Sequence, residues 1–142
     1  MQTYELQRFK DAQQTGSYES ALSEIVAGRK HSHWIWYVFP QIQGLGRSHM
    51  ARYYALQSLG EAEAYLHDAI LGPRLRQITE ALLLHAGRSA DTILGSHIDA
   101  IKVRSCMTLF DILSPNDIFD RVLDTFYDGK RCGRTLSMCA KV

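Results

Sequence analysis

A chain of 142 residues, 46% hydrophobic and 22% charged, has the length and composition of one globular domain. Its formal net charge of +1 excludes the strong basic footprint of a dedicated DNA or RNA binder. No apolar run reaches the roughly 20 residues that cross a bilayer, and Met1-Gln2-Thr3-Tyr4-Glu5 has neither the basic nor the apolar region of a signal peptide, so a cytoplasmic location is expected.

Helical periodicity dominates the chain. Leu6, Phe9 and Gln13 open a first helix that stops by Gly16. Ser17 is placed to cap a second, with Tyr18, Leu22, Ile25 and Val26 on one face and Gly28 as a left-handed stop. The run Trp34 to Phe39 has the residue types of a buried strand. No second strand is legible to pair with it, so its backbone groups predict a short helix over residues 33–39, capped by Ser32 and ended at Pro40.

Ser48 caps a further helix running to about Gln57. Ser58 and Glu61 form a capping-box signature ahead of Ala62, Tyr65 and Leu66. Gly72-Pro73 breaks and restarts the chain before Leu75, Ile78, Leu82 and Leu83, with Gly87 as the end. Ser89 to Leu94 forms a short turn closed by Gly95. Ser96 and Asp99 start a long helix to about Leu113, with Ile98, Ile101, Leu109 and Ile112 as its apolar side. Ser114-Pro115 stops that helix and caps the next, which carries Ile118, Phe119, Val122, Leu123 and Phe126 up to Asp128-Gly129. A last short turn spans Thr135 to Ala140, inside a basic tail of Lys130, Arg131, Arg134 and Lys141. The expected fold is all-α: one compact domain over residues 1–142, a bundle of about six to eight helices with the aromatic helix near its centre.

Three stretches carry polar groups suited to chemistry. Gly44-Leu45-Gly46-Arg47-Ser48 leads into a helix, where free N–H groups and an arginine fork suit an anion. In Lys30-His31-Ser32-His33-Trp34, His33 is a candidate acid or base, while Trp34 and Trp36 offer flat faces for a ring. His31 and His33 have no third ligand at a familiar spacing, so no metal is expected, and no cofactor either. On the long helix, Asp99, Lys102 and Ser105 are successive neighbours, and Arg104, Thr108 and Asp111 form a second polar row. A lysine beside a serine suggests a nucleophile with its base. Cys106, Cys132 and Cys139 are odd in number and lack a CxxC spacing, so they read as free or buried thiols.

The chain resembles a bacterial family of unknown function, family eighteen-ten, which sometimes carries a calpastatin-like label. The resemblance lies in Phe9 to Gln13, in Tyr18 to Ser48 with "GRKHSHW", "FPQ" and "GLG", in Glu61 to Leu66, in Leu71 to Leu75 and in "KVRSCMTLF" from Lys102. It implies a compact helical domain and no established reaction. The chain departs from the family pattern at Cys106, where a serine is usual, and at Asp68, where proline is common. Calpastatin inhibitory segments are disordered, whereas this chain is rich in core residues. A remoter likeness is to helical proteins that handle ADP-ribose conjugates.

The expected function is therefore a cleft between the Lys30–Ser48 segment and the Lys102–Thr108 face, binding a small anionic or nucleotide-like ligand. Trp34 or Trp36 would stack, Lys30, Arg47 and Lys102 would neutralise charge, Gln41, Gly44, Gly46, Ser48 and Thr108 would line the cleft, and His33, Asp99, Lys102 and Ser105 would carry any hydrolysis or transfer. The alternative is a non-catalytic adaptor module, its protein partner unknown, in which the same residues are core and caps.

Overall fold

The computed structural model describes residues 4–141, the last by its backbone alone. Met1 to Thr3 of the opening segment, and the side chain of Lys141 in the basic tail, lie outside the described residues. Among the described residues the chain forms ten helices and no strand. They are α1 (Gln7–Gln14), α2 (Ser17–Ala27), α3 (Ile35–Val38), α4 (His49–Tyr53), α5 (Leu59–His67), α6 (Leu71–Leu83), α7 (Ala90–Leu94), α8 (His97–Leu113), α9 (Ile118–Tyr127) and α10 (Gly133–Lys141). The count exceeds the expected range because two pieces expected as short turns, α7 and α10, are helices. Among the described residues no helix is long and apolar enough to cross a membrane.

Most caps follow the residue chemistry. The side chains of Ser48, Ser58, Ser89 and Ser96 each accept the N–H of the residue three positions on, tying down one free donor of the helix start. Three expected caps do not form. Ser17 is the first residue of α2, and Gly16, at φ 87°, makes the turn before it. Ser114 does not cap α9; Asp117 does, and the Ser114 hydroxyl donates 2.6 Å to the Asp117 carboxylate. Ser32 likewise does not cap α3, because its hydroxyl is given to Glu24.

The central helix α8 packs on α7, α9, α10 and α5. Ala100, Val103, Cys106, Met107, Leu109 and Phe110 form its buried side. This corrects the expected face: Ile98 is 66% exposed, and Ile101 and Ile112 are exposed too. The core rings Phe9, Tyr65, Phe110 and Phe119 follow one another, the first pair edge to face and the next two tilted, with centroids 5.0 to 5.8 Å apart. The buried Gln13 is tied off on both sides of its amide. Gln13, on α1, donates 2.7 Å to the Tyr37 carbonyl and accepts from Arg74.

The aromatic run is helical, as its unpaired backbone required. Only Ile35–Val38 are wound, and Phe39 leaves the helix ahead of Pro40. α4 ends at Tyr53, short of Gln57. The chain extends instead, and Leu56 forms a single bridge with Ile42: Leu56 N–H donates to the Gln41 carbonyl at 2.9 Å and Gln43 N–H to the Leu56 carbonyl at 2.8 Å. That bridge fixes the base of the 41–47 loop beside α8 and α10.

Candidate functional site

The Lys30 segment and α8 do meet. Lys30 is buried, and its ammonium lies 2.9 Å from Asp99 Oδ2. Lys102, one turn along α8, sits 3.9 Å from Asp99 Oδ1. Each lysine also lies over an indole: Lys30 Nζ is 5.1 Å from the Trp34 ring centroid and Lys102 Nζ is 5.4 Å from that of Trp36. Asp99 thus holds two cations that in turn cover the two indoles. The approach is pinned by the backbone, since Lys30 N–H donates to the Ile93 carbonyl at 2.8 Å. A Cβ on Gly95 would lie 2.9 Å from the Lys30 carbonyl, so only glycine fits there.

Trp34 is taken up by the core. It is 1% exposed, and its indole N–H donates 2.9 Å to Glu24, leaving no open face for a ligand ring. Glu24 also accepts from the Ser32 hydroxyl and from the His31 and Ser32 N–H groups. Desolvation pushes its carboxyl up, but these donors outweigh it and bring the pKa down to about 2. Trp36 is half-buried, and its indole nitrogen has no hydrogen-bond partner among the described residues.

Some of the expected site residues line three hollows, while Lys30, Trp36, Ser48, Asp99 and Thr108 line none of these. One, of about 200 Å³, brings together Gln41, Gly46, Lys102 and Ser105 with Leu45, Ile98, Ile101, Cys132 and Arg134. A second, of about 420 Å³, lies on the other side of the same loop and is lined by Gln43, Gly44, Gly46, Arg47 and Arg52 among others. The third, of about 350 Å³, holds His33 with Thr15, Ser17 and Ser20. His33 therefore does not share a hollow with Lys102. The loop glycines also have packing reasons. Gly44 turns the chain at φ 94°, and a Cβ on Gly46 would lie 2.4 Å from the Ala51 methyl group. Ser48 is an exposed helix cap.

Thr108 is fully buried. Its hydroxyl donates 2.8 Å to the Arg104 carbonyl and accepts the Cys132 N–H at 2.9 Å, so it positions the chain ahead of α10 and does not face the hollow. Arg104 works with it, donating 2.7 Å to each of the Lys130 and Arg131 carbonyls. Of the basic tail, Arg131 is bound to Asp120 and Asp111 on α9 and α8. Arg134 lines the first hollow.

Sequence reasoning passed over Cys132. The residue is the cap of α10: its carbonyl accepts from Leu136 N–H at 3.1 Å. Its sulfur accepts from the Ser105 hydroxyl at 3.4 Å and lies near the backbone N–H groups of Arg134 and Thr135. Burial pushes this thiol up, yet the donors around it outweigh burial and hold it below the ordinary thiol range. Cys106 and Cys139 are buried and pushed the other way. The available signal was positional, a cysteine followed by Gly133 at the start of a helix.

The fold and this arrangement define a single all-helical domain with a small cationic hollow between its central helix, a bridged loop and the start of its last helix. The chain belongs to the family described as "Protein of unknown function (DUF1810)", whose model matches residues 3–139. A solved structure, that of the conserved hypothetical protein Rv1873 from Mycobacterium tuberculosis, is 42% identical, covers 96% of this chain and 97% of its own, and superposes with a TM-score of 0.91. No curated protein matches.

Proposed function

We propose that this protein binds a small anionic molecule, a phosphate or carboxylate compound, in the hollow between α8, the 41–46 loop and the start of α10. The observation that carries the reading is the lining itself. Lys102 and Arg134 both contribute to it, Gln41 and Ser105 add neutral polar groups, and no Asp, Glu or His is among the lining residues. A hollow with cations and no acid favours a negative ligand. Gly46 allows the loop backbone to approach it.

Lys102 is the more informative of the two cations. Its partner Asp99 is already held at 2.9 Å by Lys30 and stands 3.9 Å from Lys102, so the ammonium retains capacity for an incoming anion. A nucleotide-like ligand would engage this site through its phosphates rather than through Trp34, whose ring is buried.

A second reading rests on the exposed side chains of Ile98 and Ile101, which form the apolar wall of the same hollow. In an adaptor module they would receive an apolar side chain of a protein segment. The two readings separate in a thermal-shift screen of pyrophosphate, citrate and nucleoside phosphates. The anion site predicts a saturable rise in Tm that is lost in Lys102→Ala and weakened by salt. The absence of any rise in a folded protein contradicts it and favours the adaptor.

A further inference from the structure

The thiol of Cys132 lies in the wall of that cationic hollow, and its surroundings are unusual for a thiol with no task. The Ser105 hydroxyl donates to the sulfur at 3.4 Å, and the Thr135 hydroxyl and the backbone N–H groups of Arg134 and Thr135, at the start of the helix, lie near enough to favour its charged form. The Ser105 proton is shared, since its oxygen also lies 3.2 Å from the Ile101 carbonyl. Thr135 is fully buried, and its hydroxyl lies beside the sulfur without forming a well-made hydrogen bond to any group among the described residues. A neutral thiol is a weak acceptor and does not need such a cradle. A thiolate does, and the start of a nine-residue helix adds the favourable end of its dipole.

The hollow also limits what that sulfur can do. Acyl transfer and hydrolysis need a group that takes up and returns a proton. No Asp, Glu or His lines this hollow. Thiol–disulfide exchange needs no such group, because a thiolate attacks and a thiolate leaves. No second cysteine lines the hollow either, so a mixed disulfide formed there would have no neighbouring thiol to resolve it.

We propose that Cys132 is a site of reversible thiolation by a small disulfide that bears carboxylates. The Cys132 thiolate attacks one sulfur of that disulfide. A new S–S bond forms at Cys132, the old S–S bond breaks, and its electron pair leaves with the other half as a free thiolate. The disulfide is the oxidant, and a second small thiol reverses the step. Lys102 and Arg134 hold the carboxylates of the attacking molecule, so the inference rests on the anion-binding reading of the same hollow. The adduct would fill the hollow and exclude its anionic ligand.

The test uses the full chain with two small disulfides of opposite charge, oxidised glutathione and cystamine, followed by intact-protein mass and peptide mapping. The expected result is a single glutathione adduct on Cys132, formed about tenfold faster than the cystamine adduct at low salt. Cys106 and Cys139 should stay unmodified in the folded protein. Lys102→Ala and Arg134→Ala should erase the charge preference, and Thr135→Val should move the pH midpoint of the reaction upward. The proposal is overturned by the absence of an adduct on Cys132 in a protein with native circular dichroism. Equal rates with the two disulfides, or an unchanged preference in both alanine variants, overturn it as well. Cys132→Ser, which keeps both cations, separates the two readings. If it retains the pyrophosphate response while wild type fails to exchange, only the thiolation fails. If the response is absent from wild type and variant alike, the anion site fails too.

Discussion

Lys30 and Asp99 lie 69 positions apart in the chain and 2.9 Å apart in the fold, with their side chains 7% and 16% exposed. This ion pair joins the segment after α2 to the first turn of α8 and so sets one wall beside the hollow. A pair this buried is costly to break by halves, because the remaining charge loses its partner. Lys30→Met should lower unfolding stability by about 3 kcal/mol. The double variant Lys30→Met with Asp99→Leu should lie closer to wild type than Lys30→Met alone, as read by urea denaturation of both. A single variant as stable as wild type would show that the pair does not hold the two segments together.

Lys102 is expected to behave differently. Its pairing with Asp99 is long, at 3.9 Å, and the side chain is 22% exposed. Lys102→Ala should therefore change stability by less than about 1 kcal/mol while removing the response to anions. A Tm within a few degrees of wild type, with no pyrophosphate shift, is the expected pair of readings.

Glu24 gives the acid limb of the stability profile. Its folded pKa is lowered from the usual 4.5 to about 2, so the unfolded chain takes up a proton first as pH falls. Its stabilisation is complete above about pH 4.5 and is lost as pH falls toward 2. Glu24→Gln should cost about 1 to 2 kcal/mol at pH 7, less than the full pKa displacement implies because water reaches the carboxylate. Between pH 4.5 and 2 its stability should fall less steeply than that of wild type, which chemical denaturation across that range will show.

Two glycines that look alike in the sequence should respond unequally. A Cβ on Gly72 would stand 2.1 Å from the Leu66 carbonyl oxygen, a backbone atom that cannot swing aside, whereas Gly87 has open space and a φ of 98°. Gly72→Ala should cost about 2 to 3 kcal/mol by forcing α6 away from α5. Gly87→Ala should cost about 1 kcal/mol from backbone strain alone. Equal effects would contradict the close approach at Gly72.

Much of this fold was legible because serines mark helix starts. Ser48, Ser58 and Ser96 cap as expected, and the helical nature of Trp34 to Phe39 followed from asking where its backbone hydrogen bonds would go. The buried side of α8 was misread at Ile98, Ile101 and Ile112, whose side chains are exposed, while Ala100, Val103, Cys106, Met107 and Phe110 are buried along with the expected Leu109. Of the candidate residues, Lys30, Asp99 and Lys102 meet as a cluster, while Gln41, Gly46, Lys102 and Ser105 share a hollow. His33 faces elsewhere and Trp34 serves the core. Cys132 and Arg134 were not legible, because they reach the hollow only when α10 docks on α8, a contact between distant segments that no local spacing records.

An anion held between α8 and the start of α10 will show itself in the backbone amide NMR shifts of the full chain during titration with pyrophosphate. Saturable shifts are expected at Gly46, Lys102, Ser105, Arg134 and Thr135, and none of them in Lys102→Ala. Shifts confined to Arg47 and Arg52 on the other side of the loop, or no saturable shift at all, would contradict it.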